Sequence, residues 1–289
     1  MGTQQTTGST ALGYPEAVRG LLDEFTWNPW FTKSYWPENE PRIRLMARLA
    51  LERFPAAEGR RAMEVGCASG FVAYLFRLLG FEVSAIDAYE DEKRDELFRK
   101  GGVAYQATNL NAVDPLSEFP QESFDLILLG EVFEHILNQP AGLLRSIFRL
   151  LRPGGLLILT TPNPSTLANA IRVLRDGYVL WGTAEFLNET KLDGGRIIDL
   201  GDIHYREYPA RIVRDLLTEV GYHVDGVRYV RTGNAPTHSL HKRLIKSLLQ
   251  RSGLASLRAF SPGYVIWASR AAEPGAAPVS ARAFVSGIS

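Results

Sequence analysis

Short apolar runs alternate with stretches of helical periodicity along most of the chain. The predicted strands are residues 61–65, 82–86, 103–107, 124–129, 156–160, 222–230 and 263–268. The predicted helices are residues 71–79, 92–100, 140–151 and 209–220. Strands that alternate with helices of about ten residues are typical of βαβ units. The pattern therefore predicts an α/β fold, with a doubly wound, mostly parallel sheet that carries helices on both faces.

The segment before the first strand, residues 14–58, departs from this alternation and predicts a helical cover for the sheet. Its second half predicts a helix over residues 43–54. The segment also holds an aromatic cluster, formed by Trp27, Trp30, Phe31, Tyr35 and Trp36. These rings can dock the first helices on the domain, which is the interpretation we favour. They can also shield a bound cation and stack on a substrate ring.

The main domain is predicted to span residues 59–270 and to carry insertions at 162–205 and 231–260. A long excursion directly after a buried strand is usually functional. We therefore expect the first insertion to form one wall of a substrate pocket. Its aromatic side chains are Tyr178, Trp181 and Phe186.

The second insertion contains basic and apolar residues at helical spacing over residues 240–250. Such a segment can make peripheral contact with a membrane surface, or it can be a docked helix with a solvated face, which is commoner. The two ends of the chain, residues 1–13 and 271–289, are rich in small and polar residues and are expected to be disordered.

The composition narrows the classes of function. Of the 289 residues, 45% are hydrophobic and 22% are charged, which fits a globular domain. The 32 basic and 32 acidic side chains cancel, so the chain lacks the electrostatic footprint for binding extended nucleic acid. No apolar run is long enough for a transmembrane segment, and the first residues lack a secretory pattern. With Cys67 as the single cysteine, we expect a cytoplasmic protein.

A glycine-rich turn follows the first predicted strand, in the sequence Glu64-Val65-Gly66-Cys67-Ala68-Ser69-Gly70. Glycines at such a strand-to-helix turn let the backbone approach a ligand closely and present N–H groups to it. Asp87 ends the second strand, where a carboxylate can accept hydrogen bonds from both hydroxyls of a ribose. The spacing differs from the dinucleotide GxGxxG pattern, because the turn has one glycine before Gly70.

The pattern Glu64-x-Gly66-x-x-x-Gly70 resembles the first motif of the class I S-adenosylmethionine-dependent methyltransferases. Later segments resemble the other motifs of this family in order: Asp87, Thr108-Asn109-Leu110, Ser123-Phe124-Asp125-Leu126-Ile127 and Leu151-Arg152-Pro153-Gly154-Gly155. The resemblance covers residues 60–230. It implies a seven-stranded Rossmann-like sheet and S-adenosylmethionine as the methyl donor.

The resemblance also implies a set of cofactor-binding residues, namely Glu64, Gly66, Cys67, Ala68, Gly70, Asp87, Asn109 and Leu110. Asn109 departs from the family, since many relatives carry aspartate there. Its side-chain carbonyl can still accept a hydrogen bond from the adenine amino group. Cys67 lies at a helix start, where the pKa of a thiol can be lowered. We favour the plainer interpretation that Cys67 is a small side chain chosen for space.

A group of acidic and imidazole side chains follows the fourth strand. Glu131, Glu134 and His135 would share one face of a helix beginning there, and His204 follows the first insertion. This arrangement resembles two metal-dependent groups, the small-RNA 2′-O-methyltransferases and the ubiquinone-pathway catechol O-methyltransferases. The resemblance implies that the four residues bind Mg²⁺ or another divalent cation at the acceptor oxygens. If no metal binds, His204 or His135 is the expected general base, with Glu131 as a further catalytic candidate.

These inferences favour O-methylation of a hydroxyl on a small metabolite, a sugar or glycan, or a catechol-like acceptor. The neutral charge argues against an RNA substrate. Two alternatives stay open: N- or C-methylation of a small or lipid-linked acceptor, and a non-catalytic partner protein that binds S-adenosylmethionine. A metal requirement would count against N- or C-methylation. The sequence does not indicate the oligomeric state.

Overall fold

The computed structural model describes residues 11–137, 139–177, 191–193, 196–199, 204–231 and 257–271. The helices are α1 Tyr14–Glu24, α2 Trp36–Arg53, α3 Phe71–Leu78, α4 Glu92–Gly101, α5 Pro140–Leu150, α6 Leu167–Asp176 and α7 Ala210–Val220. The strands are β1 Arg61–Val65, β2 Glu82–Asp87, β3 Ala104–Ala107, β4 Phe124–Gly130, β5 Leu151–Pro162, β6 Lys191–Asp193, β7 Arg196–Asp199, β8 Tyr222–Val230 and β9 Gly263–Arg270. A π-helical turn, Phe31–Tyr35, and a 3₁₀ turn, Phe133–His135, complete the elements used below.

Seven strands form one sheet in the order β3-β2-β1-β4-β5-β9-β8. The five strands from β3 to β5 run parallel to their neighbours, whereas β9 runs antiparallel to both β5 and β8. This arrangement confirms the predicted α/β class and the doubly wound, mostly parallel sheet. Because β1, β2, β4 and β5 all point the same way, the loops that follow them meet at one edge of the sheet, where ligands of open α/β sheets bind.

The sheet separates two apolar cores. Leu126 and Leu128 of β4 belong to the core shared with α1 to α4, and Ile127 and Leu129 belong to the core shared with α5 and α7. Since both faces are covered, residues 126–129 of β4 form an uninterrupted apolar run rather than an alternating one. This explains why the sequence pattern predicts a fully buried strand here.

The N-terminal segment packs as a helical cover on α3. Phe31 is fully buried, and its ring lies 4.6 Å from that of Phe71 between centroids. Trp36 is also buried, whereas Trp27 and Trp30 are 41% and 61% exposed. The docking interpretation therefore describes Phe31 and Trp36, but not the two exposed tryptophans.

Two element boundaries differ from the sequence pattern. Helix α2 begins at Trp36 rather than near residue 43 and continues through Pro41. Strand β5 begins at Leu151, where the sequence predicts the end of a helix, because Leu151 pairs with Phe124 of β4 ahead of a register shift. Both differences come from tertiary contacts that the apolar periodicity does not record.

Several sequence predictions lie outside the described residues. These are the basic helix at 240–250, the aromatic side chains Tyr178, Trp181 and Phe186, and most of both chain ends. Among the helices that the structure describes, none is long and apolar enough to cross a bilayer.

Candidate functional site

The turn between β1 and α3 has a backbone that only glycine fits at two positions. Gly66 and Gly70 have φ angles of +77° and +82°. A Cβ atom on Gly66 would lie 2.3 Å from a methyl carbon of Val132, and one on Gly70 would lie 2.5 Å from the Phe98 ring. The glycines of the predicted cofactor motif therefore let β1, β4 and α4 approach one another closely.

The Asp87 carboxylate lies against this turn. Its Oδ2 accepts a hydrogen bond from the Ala68 backbone N–H at 2.7 Å, and its Oδ1 accepts a longer one from the Tyr89 N–H at 3.4 Å. The N–H groups of Gly66 and Cys67 donate to the Ile86 carbonyl oxygen at the end of β2. The structure thus brings together the glycine turn and the acidic residue that the sequence places 17 positions apart.

Glu64 is buried beneath the same turn. Its Oε2 accepts a hydrogen bond from the Ala73 N–H at 2.6 Å, in the first turn of α3. Burial is the largest influence on this carboxyl and raises its pKa well above the ordinary value, although the Ala73 hydrogen bond opposes the shift. Glu64 therefore fixes the start of α3 from below.

Arg94 supports the turn from the other side, and the sequence reasoning missed it. It is 1% exposed, and it donates hydrogen bonds to the carbonyl oxygens of Ala68 at 3.1 Å and Tyr89 at 2.8 Å. Its guanidinium carbon lies 3.9 Å from the centroid of the Tyr105 ring. An arginine in a charged helical stretch is normally predicted to be solvent-exposed, so the sequence alone does not indicate that Arg94 is buried.

Three other predicted cofactor residues have different surroundings. Cys67 is buried, and burial raises the pKa of its thiol, which contradicts the option of a lowered pKa and favours a space-filling role. The side-chain oxygen of Asn109 accepts a hydrogen bond from the Asn111 N–H at 3.0 Å. Leu110 is partly buried against the core beside α5 and lines a cavity of about 280 Å³ that also contacts Leu137.

A second cluster lies beyond β4, around Glu134 in the 3₁₀ turn. Glu134 is 1% exposed, and its Oε2 accepts a hydrogen bond from the Thr161 hydroxyl at 2.8 Å. Its Oε1 is buried without a hydrogen-bond partner. Burial, followed by the negative charge of Glu131, raises the pKa of Glu134 to about 8. A buried carboxyl oxygen without a hydrogen-bond partner is costly, so Oε1 is a candidate position for a ligand or a cation.

The backbone of Glu134 also brings in the segment that carries His204. Its carbonyl oxygen accepts hydrogen bonds from the N–H groups of Tyr205 at 2.9 Å and Arg206 at 3.3 Å. The His204 ring lies 5.0 Å from the His135 ring, nearly perpendicular to it. One possible ligand atom from each of Glu134, His135 and His204 lies within 4.8 Å of the others.

His204 is oriented by a carboxylate. Its Nδ1 lies 3.1 Å from Oε1 of Glu207, and this hydrogen bond is the largest influence that raises the pKa of the imidazole. A carboxylate on one ring nitrogen fixes the tautomer and the orientation of the imidazole. Glu207 was not among the sequence candidates, although its spacing of three residues from His204 is compatible with such a contact.

Glu131 does not join this cluster, and the predicted shared helical face is wrong. The helical turn comprises Phe133–His135 alone, and Glu131 precedes it with a φ of +55°. Its Oε1 lies 2.7 Å from Nη1 of Arg42 and accepts a hydrogen bond from the Thr160 hydroxyl at 2.8 Å. The ion pair with the buried guanidinium of Arg42, a residue that the sequence analysis missed, holds the Glu131 carboxylate.

The fold is that of a Rossmann-like α/β domain, with two side-chain clusters at the edge of the sheet where ligands of such folds bind. A family model described as a methyltransferase domain matches residues 39–226. The chain therefore belongs to this family of methyltransferase domains.

Curated relatives and solved structures agree with this assignment. The ubiquinone biosynthesis O-methyltransferase of Caulobacter sp. (strain K31) is 31% identical over 182 residues, which cover 57% of this chain and 71% of the relative. That of Xanthomonas oryzae pv. oryzae (strain PXO99A) is 29% identical over 52% of this chain, and the match spans only 56% of the relative's length.

Two solved structures share the fold at low sequence identity. A Haloferax volcanii methyltransferase, in complex with the Trm112 methyltransferase activator, superposes with a TM-score of 0.55 at 15% identity and covers 88% of this chain and 99% of its own. An S-adenosylmethionine-dependent methyltransferase of Mesorhizobium loti gives 0.50 at 20% identity, over 80% of this chain and 97% of its own.

Proposed function

We propose that the chain is an S-adenosylmethionine-dependent methyltransferase that acts on a hydroxyl oxygen of a small acceptor, with a divalent cation held by Glu134, His135 and His204. The observation that carries the proposal is the buried, unpartnered Oε1 of Glu134 beside the two imidazoles. The O-methyltransferase names of the curated relatives support an oxygen acceptor.

The proposed cofactor site follows from the first cluster. The turn from Gly66 to Gly70 would lie against the methionine part of S-adenosylmethionine, with Glu64 beneath it. The Asp87 carboxylate would accept hydrogen bonds from the ribose hydroxyls, since both of its oxygens face the loop side of β2. Asn109 and Leu110 would line the adenine site.

The donor set of the second cluster fits a divalent cation. One carboxylate oxygen and two imidazole nitrogens suit Mn²⁺ and similar ions better than Mg²⁺, which prefers oxygen ligands. A bound cation would lower the pKa of an acceptor hydroxyl and help to align it. Glu131 is excluded from the proposed ligands because its carboxylate is paired with Arg42.

Different residues of the chain would then serve different parts of the methyl-transfer reaction. The methyl group moves from the sulfonium to the acceptor oxygen in line, so placing the two atoms is the main task. If no cation binds, the proton of the hydroxyl would pass to His204, whose imidazole Glu207 orients. The Glu131–Arg42 pair would border the acceptor, because both residues line a cavity of about 170 Å³ between α2 and the start of β9.

This cavity supports a compact, polar acceptor. Its lining includes two acidic and two basic side chains, so it selects no net charge; its residues are Glu38, Asn39, Arg42, Glu131, Val230, Arg231, Pro262 and Gly263. A volume of this size holds one ring rather than a drug-sized molecule, whose pockets start at about 300 Å³. A sugar or catechol ring with neighbouring hydroxyls matches both features.

The experiment measures formation of S-adenosylhomocysteine with a catechol and a methyl glycoside as acceptors, before and after EDTA treatment. We expect activity to disappear with EDTA and to return with Mn²⁺ or Mg²⁺. Glu134→Gln should lower kcat at least about 100-fold, because it removes a charged ligand. Glu219→Gln, at an exposed position of α7, serves as the matched control.

Full activity after chelation would contradict the metal and leave His204 as an unassisted base. Methylation of amine acceptors alone would contradict the oxygen acceptor and favour N-methylation.

A further inference from the structure

Ala68 is the one residue of the glycine turn, residues 66–70, that has a left-handed backbone without being glycine. Its φ is +46°, beside angles of +77° at Gly66 and +82° at Gly70. The left-handed region is costly for alanine because its Cβ atom crowds the backbone, whereas glycine avoids this cost. Ala68 is exposed, so packing around its side chain does not hold it there. Other contacts of the turn must therefore maintain this conformation.

Hydrogen bonds on both sides of the Ala68 Cα atom supply the restraint. The N–H of Ala68 donates to Oδ2 of Asp87 at 2.7 Å, and its carbonyl oxygen accepts a hydrogen bond from Nη1 of Arg94 at 3.1 Å. These contacts fix the two peptide groups that flank the Cα atom, so together they define the φ and ψ angles of Ala68. Arg94 therefore acts on the Asp87 carboxylate through one intervening residue.

The guanidinium of Arg94 is itself fixed from several directions. Its Nη2 donates to the Tyr89 carbonyl oxygen at 2.8 Å, and its Nε donates to Oδ1 of Asp95 at 3.1 Å. The Tyr105 ring lies against the guanidinium, and the Tyr105 hydroxyl donates to the same Tyr89 carbonyl oxygen. Because Tyr89 follows Asp87 by two residues, the single side chain of Arg94 joins the segments that follow β1 and β2. The planar fork of an arginine suits this task, whereas the point charge of a lysine does not.

We propose that Arg94 is a positioning residue for the methyl donor, which holds Ala68 in the left-handed conformation and thereby keeps the Asp87 carboxylate in place for the ribose. The inference rests on the S-adenosylmethionine site proposed above. Arg94 is 1% exposed, so it acts through Ala68 and Tyr89 rather than by touching the ligand. A turn that is already ordered binds more tightly, because the apparent affinity scales with the fraction of molecules in the competent conformation.

Calorimetric titration with S-adenosylhomocysteine tests the proposal and needs no acceptor. Arg94→Met should weaken binding at least about tenfold, because Ala68 loses the donor on its carbonyl oxygen and leaves the left-handed region. The same substitution made in the Ala68→Gly variant should weaken binding by about threefold or less, because glycine adopts the left-handed region without steric cost. This difference is the readout that general loosening of α4 would not produce.

Arg99→Met is the matched control, because Arg99 is an exposed arginine of the same helix, and its affinity should equal that of the unmodified chain. Arg94→Lys keeps the charge but not the fork, and it should weaken binding about fivefold. This variant replaces Arg94→Met in the cycle if circular dichroism shows that Arg94→Met does not fold.

An equal loss of affinity with alanine and with glycine at position 68 would overturn the proposal, since Arg94 would then support the fold in general. Full affinity of the Arg94 variants would overturn it as well. Failure of the unmodified chain to bind S-adenosylhomocysteine would instead overturn the proposed methyl-donor site, and this inference with it.

Discussion

The carboxylate of Asp125 shows how a single residue can be fixed by its neighbours. It lies near the start of β4, at the edge of the sheet opposite the glycine turn. Arg60 and Arg152 donate to it at 3.1 and 2.7 Å, and the Arg61 backbone N–H donates at 2.9 Å. Burial acts to raise the pKa of this carboxyl, but the hydrogen bonds and guanidinium charges outweigh it and lower the pKa.

Stability should therefore depend on pH through Asp125. A folded-state pKa below the unfolded value of about 3.9 stabilises the protein above that pH. The contribution is lost as the pH falls through the folded-state pKa. We expect Asp125→Asn to lower the free energy of unfolding by about 2 kcal/mol at neutral pH, and the difference from the unmodified chain to shrink below a pH of about 4.

Urea unfolding at neutral and acidic pH measures this difference. Asp215→Asn removes an ion pair whose two side chains are 78% and 53% exposed, so it should change stability by about 0.5 kcal/mol or less. A destabilisation by Asp125→Asn that stays constant from neutral to acidic pH would show that the carboxylate charge does not matter.

The arginines that support the two clusters were the hardest residues to find from the sequence. The spacing of Gly66, Gly70 and Asp87 predicted their grouping, because strand ends at one edge of a parallel sheet must meet. Arg94 contacts the glycine turn and Arg42 contacts Glu131, yet each comes from a helical stretch that also holds several other charged residues. Burial of a guanidinium depends on partners far along the chain, so no local pattern reports it.

At the level of elements, helix α2 is tied to the acceptor side of the sheet through Arg42. Nη1 of Arg42 donates to the Thr160 hydroxyl at 2.9 Å and contacts Glu131 at 2.7 Å, and Nη2 donates to the Tyr35 hydroxyl at 2.9 Å. The N-terminal cover is therefore bonded to the ends of β4 and β5, and not only packed on α3.

Breaking this link should destabilise the protein. Arg42→Met leaves Glu131 without its partner, and we expect a loss of about 2 kcal/mol. This is less than for a fully buried pair, because the Glu131 side chain is 33% exposed. The double variant Arg42→Met/Glu131→Gln should recover about 1 kcal/mol of that loss.

A double-mutant cycle in urea measures the coupling. Arg44→Met provides the comparison on the same helix, because Arg44 and Glu40 form a surface ion pair worth about 0.5 kcal/mol or less. Additive effects of the Arg42 and Glu131 substitutions would contradict a direct link between α2 and the site.

The elements themselves were largely predictable. Strands β1 and β8 have the bounds that the apolar pattern predicts, and most other strands and helices differ by one or two residues. The exception that affects function is the turn after β4. The E-x-x-E-H spacing suits a helix, but the positive φ of Glu131 and a single 3₁₀ turn send Glu131 toward Arg42 and leave Glu134 with the two histidines. Local spacing could not predict this, because partners from α2 and β5 decide where each carboxylate goes.

At the scale of the whole molecule, the two clusters share one edge of the sheet but are built by different parts of the chain. The glycine turn is held by β1, β2 and α4, whereas the second cluster is held by the 3₁₀ turn, β5 and the segment after residue 203. Substitutions at the glycine turn should therefore change the affinity for the methyl donor. Substitutions in the second cluster should instead change the rate of methyl transfer to the acceptor.

Ligand-dependent melting tests this separation. S-adenosylhomocysteine at 100 times its Kd should stabilise the protein by about 2.7 kcal/mol, which raises Tm by roughly 5–10 °C. Asp87→Asn should bind at least about tenfold more weakly and show about half of that rise at the same concentration, since asparagine keeps the Ala68 hydrogen bond but loses the charge and one acceptor. Glu134→Gln and Asp225→Asn, by contrast, should show the full rise in Tm, because neither residue contacts the turn.

An unchanged rise in Tm for Asp87→Asn would contradict its role at the ribose. A lost rise for Glu134→Gln would show that the two clusters are coupled, so that the acceptor site cannot change without the donor site.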